Sequence, residues 1–211
     1  MTIINTPTTD TLEKGRFYLE ANVIFKPKKF ENGGFQTYGY RTVYGLGRKT
    51  DVGVSFFYTR DGNDTPLEMN FSVKQNVYNN EKHAVGASVG AVVYVPLRRS
   101  LAGSSQVFTY ANVGKTFKKI GGARVTAGAY RVFNGGDDFG SKGGATVAVE
   151  QPISRRFTAV GEWVSGNNRF GYGSAGLTYQ INSRSFVQGT YNIGNVGRGN
   201  NFFAIYYGYT Y

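Results

Sequence analysis

The feature that most constrains this chain is a two-residue rhythm of apolar and polar side chains that runs over nearly its whole length. It is cleanest at the end, where Phe203, Ile205, Tyr207, Tyr209 and Tyr211 take every second position and Ala204, Tyr206, Gly208 and Thr210 stand between them. A period of two sends alternate side chains to opposite faces of a β-strand, so one face lies in an apolar medium. Twelve such segments can be read, at about 16–27, 35–46, 50–60, 66–77, 83–95, 105–116, 122–133, 141–150, 156–165, 169–181, 185–194 and 201–211. None of them has a helical period. The connections near 47–49, 78–82, 117–121, 151–155 and 182–184 are short, and those between them are mostly longer and richer in Gly, Asn and Asp.

The register can be followed strand by strand. Phe17, Leu19, Ala21, Val23 and Phe25 share one face of the first strand, with Arg16, Glu20, Asn22 and Lys26 on the other. The fourth strand sets Leu67, Met69, Phe71 and Val73 against Glu68, Asn70, Ser72 and Lys74. On this register no charge falls mid-strand on the apolar face; Lys115 and Arg131 come nearest, and both lie close to strand ends where they can snorkel. An Arg or Lys at the bilayer midplane of a barrel costs roughly 2–4 kcal/mol. A soluble sandwich also alternates, but it needs a strategy for its edges. Long regular strands and aromatic strand ends favour the membrane version. The expected fold is therefore all-β, a transmembrane antiparallel up-and-down β-barrel of about twelve strands over 16–211, preceded by an extended polar tail at 1–15.

Composition agrees with this reading. Gly at 30 residues, with 16 Tyr and 16 Phe, suits tight turns, crowded interiors and interfacial girdles. The mean hydropathy of −0.33 is low, as it is for a barrel whose strands each turn one face to a polar lumen. No run approaches the ~20 apolar residues of a transmembrane helix. The absence of cysteine excludes a disulfide scaffold, a thiolate metal site and a cysteine nucleophile. The start, Met1 to Thr11, lacks a basic region followed by a long apolar one, so the numbering is read as beginning at a mature or recombinant N-terminus with the signal peptide already removed. The formal charge of +11 does not point to nucleic acid, because the basic residues punctuate strand ends instead of forming a stripe: Lys28 and Lys29, Arg48 and Lys49, Arg98 and Arg99, Lys118 and Lys119, Arg155 and Arg156. Basic rims suit anionic lipid headgroups and lipopolysaccharide phosphates.

On these residues the chain resembles bacterial outer-membrane β-barrels of the twelve-stranded size over 16–211. The ending Tyr207-Gly208-Tyr209-Thr210-Tyr211 is similar to the C-terminal signal read by the barrel-assembly machinery, with Tyr211 where Phe is usual. The resemblance implies an outer-membrane location, the assembly machinery as a partner in biogenesis, and no cofactor. A monomer is expected, since the lipid-facing aromatics form no evident protein–protein patch.

Twelve strands about 4.8 Å apart and tilted about 40° give a backbone diameter of about 24 Å and a bore on the order of 10 Å. The pore-lining candidates are Arg16, Lys26, Arg41, Lys74, Arg124 and Lys142 against Glu20, Asp51, Glu68, Glu150 and Glu162. They either pair across the lumen and close it or line opposite walls and leave a polar passage. Small inward residues such as Gly39, Gly53, Gly86, Gly90, Gly128, Gly144 and Gly176 favour an open bore, and no connection exceeds about ten residues, which argues against a folded-in plug. The expected function is a narrow water-filled channel for small polar or anionic solutes, the basic rims tilting it toward anions. The alternative is a closed structural or adhesive barrel. Tyr18, Phe57, Phe108, Tyr110, Tyr130 and Tyr206 point inward and either form a binding slide or fill space.

An outer-membrane enzyme is the remaining class. Phospholipases of this strand number use a Ser nucleophile and a His on the outer wall, and here His83 is the one histidine, beside Lys82 in a turn. Gly114-Lys115-Thr116 lacks the earlier Gly of a phosphate loop, since Thr109 stands there. Asp61-Gly62-Asn63-Asp64 and Gly135-Gly136-Asp137-Asp138 offer oxygen ligands for Ca²⁺ but read more simply as turns. No catalytic, metal or cofactor residues are assigned.

Overall fold

The structure, a computed structural model, describes residues 3–62, 65–98, 105–136, 139–197 and 199–211. Twelve antiparallel strands close into one barrel: β1 (Phe17–Lys26), β2 (Phe35–Gly47), β3 (Thr50–Arg60), β4 (Leu67–Asn80), β5 (Val85–Pro96), β6 (Gln106–Phe117), β7 (Ala123–Phe133), β8 (Gly143–Pro152), β9 (Phe157–Val164), β10 (Tyr172–Gln180), β11 (Ser185–Gly194) and β12 (Asn201–Thr210). Each strand pairs with its neighbours in sequence, and β1 closes on β12 with Ala21 opposite Tyr207. The seam is finished by Tyr211, whose N–H donates to the Phe17 carbonyl at 2.8 Å. No free sheet edge remains, which removes the need to protect one.

Strand boundaries follow the alternation closely, with two informative departures. β4 runs on to Asn80 because a bulge between Asn76 and Tyr78 absorbs a residue and restores the pairing with β5. β10 starts at Tyr172, so residues 169–171 belong to the preceding connection. The β2–β3 hairpin turns on Arg48 and Lys49, both at positive φ (51° and 57°), the conformation that matches the twist of flanking strands in a two-residue turn. Both ends of the strand array lie at the short-turn rim, and the longer connections lie at the other, here called the outer rim.

The outer face is apolar and the inner face polar, the reverse of a water-soluble barrel. Phe56, Phe71, Val147, Trp163, Leu177 and Ile205 are exposed, whereas Asn22, Asn70, Asn112, Thr126, Thr146 and Asn192 are buried. Aromatic pairs mark both ends of the strands on the outside. Phe17 meets Tyr44 at 4.6 Å and Phe157 meets Tyr179 at 5.0 Å at the short-turn end, while Phe25 and Tyr191 both meet Phe203 at the outer end. Lys115 and Arg131 do face outward, and each lies over a ring at the end of its strand, Phe117 at 5.4 Å and Phe133 at 5.8 Å.

Candidate functional site: the lumen and its inner strap

Three of the inner-face charges are matched in register to the opposite charge on the next strand. Glu20 stands opposite Arg41, Asp51 opposite Lys74, and Arg124 opposite Glu150. The resulting ion pairs span 3.5, 3.3 and 3.8 Å. Such cross-strand pairs neutralise each wall locally. Glu20 is further held by the Tyr18 hydroxyl, which donates to it at 2.6 Å, and by the Asn22 amide at 3.3 Å. Three other candidates lie toward the rims. Arg16 precedes β1 at the short-turn rim, half exposed and paired with Glu13 at 3.7 Å. Lys26 is the last residue of β1, and Lys142 is exposed in the connection before β8.

Glu162 has a different partner. It is buried on β9, and it accepts the backbone N–H groups of Asn5 and Thr6 at 2.9–3.0 Å. Residues 3–12 therefore run inside the barrel as a strap across the bore. The Leu12 N–H donates to Asp51 on β3 at 2.8 Å. Asn76 on β4 and Ser88 on β5 donate to the carbonyls of Thr9 and Thr8 at 2.8 and 3.3 Å. Asn112 on β6 donates to the Pro7 carbonyl at 2.8 Å, and Gln188 on β11 to the Ile3 carbonyl at 3.0 Å. Arg124 on β7 pairs with the Asp10 carboxylate and donates to the Thr9 hydroxyl at 2.7 Å. Ile3 and Ile4 pack against Ala148, Val160, Ala204 and Tyr206, and Leu12 against Tyr18 and Val43.

This departs from the expectation that nothing folds into the bore. Loop length was the wrong guide, because the segment that enters precedes β1. The inward glycines also serve differently than supposed. A Cβ at Gly86 would come within 3.0 Å of the Thr9 hydroxyl, one at Gly90 within 2.3 Å of the Tyr110 hydroxyl, and one at Gly128 within 2.0 Å of the Asn112 amide oxygen. The gaps they leave are occupied by the strap and by large neighbours.

Above the strap lies a cavity of about 690 Å³, with Asn5, Thr6 and Pro7 as its floor and Phe35, Arg98 and Phe202 at the outer rim. The connection between β9 and β10 reaches over its mouth. Arg169 pairs with Glu68 on β4 at 2.8 Å, and its guanidinium lies 4.8 and 4.9 Å from the ring centres of Tyr94 and Phe170. Asn168 braces the connection, donating to the Tyr130 hydroxyl at 2.8 Å and accepting the Phe170 N–H at 2.8 Å. The sequence expectation runs this strand from 169 and leaves Arg169 out of the pore-lining candidates; Phe170 and Tyr172, two residues apart, imitate the alternation of a strand. The one available signal was Asn167-Asn168, a pair suited to side-chain–backbone turns.

His83 is exposed in the β4–β5 turn at the short-turn rim, where its N–H donates to Asn80. Among the described residues no group of three or more His, Cys, Asp or Glu is placed to hold a metal ion. Asn63, Asp64, Asp137 and Asp138, half of the two acidic turn motifs, lie outside the described residues.

No protein-family model matches the chain. No curated protein matches it either. Among solved structures, a KdgM porin superposes with a TM-score of 0.68 at 8% identity, over 92% of this chain and 99% of that one. An outer membrane channel from Pseudomonas putida F1 gives 0.60 at 13% identity, over 99% and 100%. Outer membrane phospholipase A from Escherichia coli gives 0.53 at 13% identity, over 95% and 93%. The chain thus resembles bacterial outer-membrane porin-like barrels in fold. Because that fold is shared by a porin, a channel and an enzyme, the chemistry has to be argued from the lumen itself.

Proposed function

We propose that the chain is an outer-membrane β-barrel whose lumen is a narrow water-filled channel for small polar or anionic solutes, kept at low conductance by the strap at 3–12. The apolar outer face, the two aromatic belts and the absence, among the described residues, of mid-strand charge on the outside support insertion in a bilayer. Basic rims meet lipopolysaccharide or lipid phosphates, Tyr207, Tyr209 and Tyr211 serve the assembly machinery, and the barrel works as a monomer.

The observation that carries the channel reading is the cavity descending from the outer rim to Thr6, with Arg41 and Lys74 on its wall and their carboxylate partners beside them. Lumen charges paired along the wall leave a polar passage and contribute little selectivity, so the preference for anions comes from the rims. A second reading, a closed structural barrel, is favoured by the burial around the strap: Asn112 and Thr6 are 1% exposed and Thr126 is 0%.

Single-channel recording of the refolded protein in a planar bilayer under a salt gradient separates the two. The full chain is expected to show small conductance with a reversal potential on the anion side, and a variant lacking residues 3–12 a larger, steadier one. Insertion of both without conductance rejects the channel and leaves the structural barrel.

A further inference from the structure

The cavity above the strap has two unlike walls. Toward β2–β4 it carries the polar groups Arg41, Ser55, Asn70, Ser72 and Lys74 among Val43, Phe57 and Leu67. Toward β5, β6 and β10 it is apolar and aromatic, with Val92, Tyr94, Phe108, Phe170 and Tyr172. The aromatic side is a packed assembly: Phe108 stacks on Tyr130 at 5.0 Å, and Phe170 meets Phe108 edge-on at 5.1 Å.

We propose that this cavity is a binding site for a small aromatic carboxylate, its ring against the Phe108–Phe170–Tyr172 wall and its carboxylate on Arg41. The reading rests on the outer-membrane barrel described above but not on conduction. Three observations carry it. The volume of about 690 Å³ lies within the ~300–1,000 Å³ of ordinary small-molecule sites. Arg41 can turn to a ligand without stranding a buried anion, since Glu20 keeps the Tyr18 hydroxyl and the Asn22 amide. Away from Asp61, Arg98 and the Arg169–Glu68 pair, the charged groups of the lining, Arg41, Asp51 and Lys74, all stand on β2–β4, which fits a molecule with one polar end better than a saccharide that needs partners all round.

Isothermal titration of the full chain, refolded in detergent, with 2-naphthoate tests the assignment, with empty micelles as the blank. The expected result is saturable one-to-one binding, at least tenfold weaker for the uncharged 2-naphthalenemethanol and for D-glucuronate. The paired variant Glu20→Gln with Arg41→Gln removes the cation without leaving its partner charged, and should bind naphthoate about tenfold more weakly while still migrating as a folded barrel. No saturable uptake beyond micelles, equal affinity for the alcohol, or equal affinity for the sugar acid overturns the proposal. Since titration needs no ion flow, naphthoate binding by a non-conducting barrel would reject the channel and keep the site; conductance without binding would do the reverse.

Discussion

Arg169 and Glu68 come from opposite walls of the barrel and meet over the mouth of the lumen at 2.8 Å. β4 and the β9–β10 connection are separated by five or six strands in either direction round the wall. A contact between them spans the bore and fixes where the connection lies. Releasing it in Glu68→Gln should loosen residues 165–171, raising their amide exchange about fivefold, in line with the ~1 kcal/mol of a partly exposed pair. The swapped pair Glu68→Arg with Arg169→Glu should recover most of the protection. Unchanged exchange in Glu68→Gln would mean that Asn168 and Tyr130 hold the connection without the ion pair.

Glu162 is the anchor of the strap, and its substitution should act on the strap before it acts on the barrel. In Glu162→Ala the N–H groups of Asn5 and Thr6 lose a charged acceptor, each such bond being worth about 1.5–3 kcal/mol. Exchange at these two amides should rise at least tenfold, with Glu162→Gln intermediate, while amides of β6 and β7 stay protected. Uniform loss of protection over the whole barrel would instead make Glu162 a general support of the wall.

The outer face gives a prediction that depends on depth. Val147 lies outward in mid-β8, and Phe133 lies outward at the outer end of β7. Val147→Arg should lower the unfolding free energy in a bilayer by roughly 2–4 kcal/mol and Phe133→Arg by about 0–1 kcal/mol. Equal costs measured by denaturant titration in lipid vesicles would contradict an apolar belt centred on the strands.

The strands were legible because a period of two reports the face of every residue at once. Glu68, Asn70, Ser72 and Lys74 fall on one side in the sequence and on the inner wall in the structure. The pairing of Asp51 with Lys74 follows from hairpin register once the turn after β3 is placed. The strap was not legible, for a physical reason. Residues 3–12 have no periodicity, and their partners are side chains from β3 to β11 that converge only when the barrel closes. Arg169 was hidden differently: its neighbours imitate a strand, and only the Asn168 turn redirects them inward.

Most of the bonds holding the strap share a property. At Ile3, Asn5, Thr6, Pro7, Thr8, Thr9 and Leu12 the wall engages main-chain amides. Even Pro7, which has no N–H to give, is bound through its carbonyl. An amide is the same in every residue, so the burden of recognition is lopsided. Mutational drift in Thr6 or Thr8 leaves the main-chain atoms that the wall binds in place, whereas loss of Glu162, Asn112 or Asn76 deletes a bond outright. Across divergent copies of this barrel, heredity should therefore be stricter in the lock than in the key.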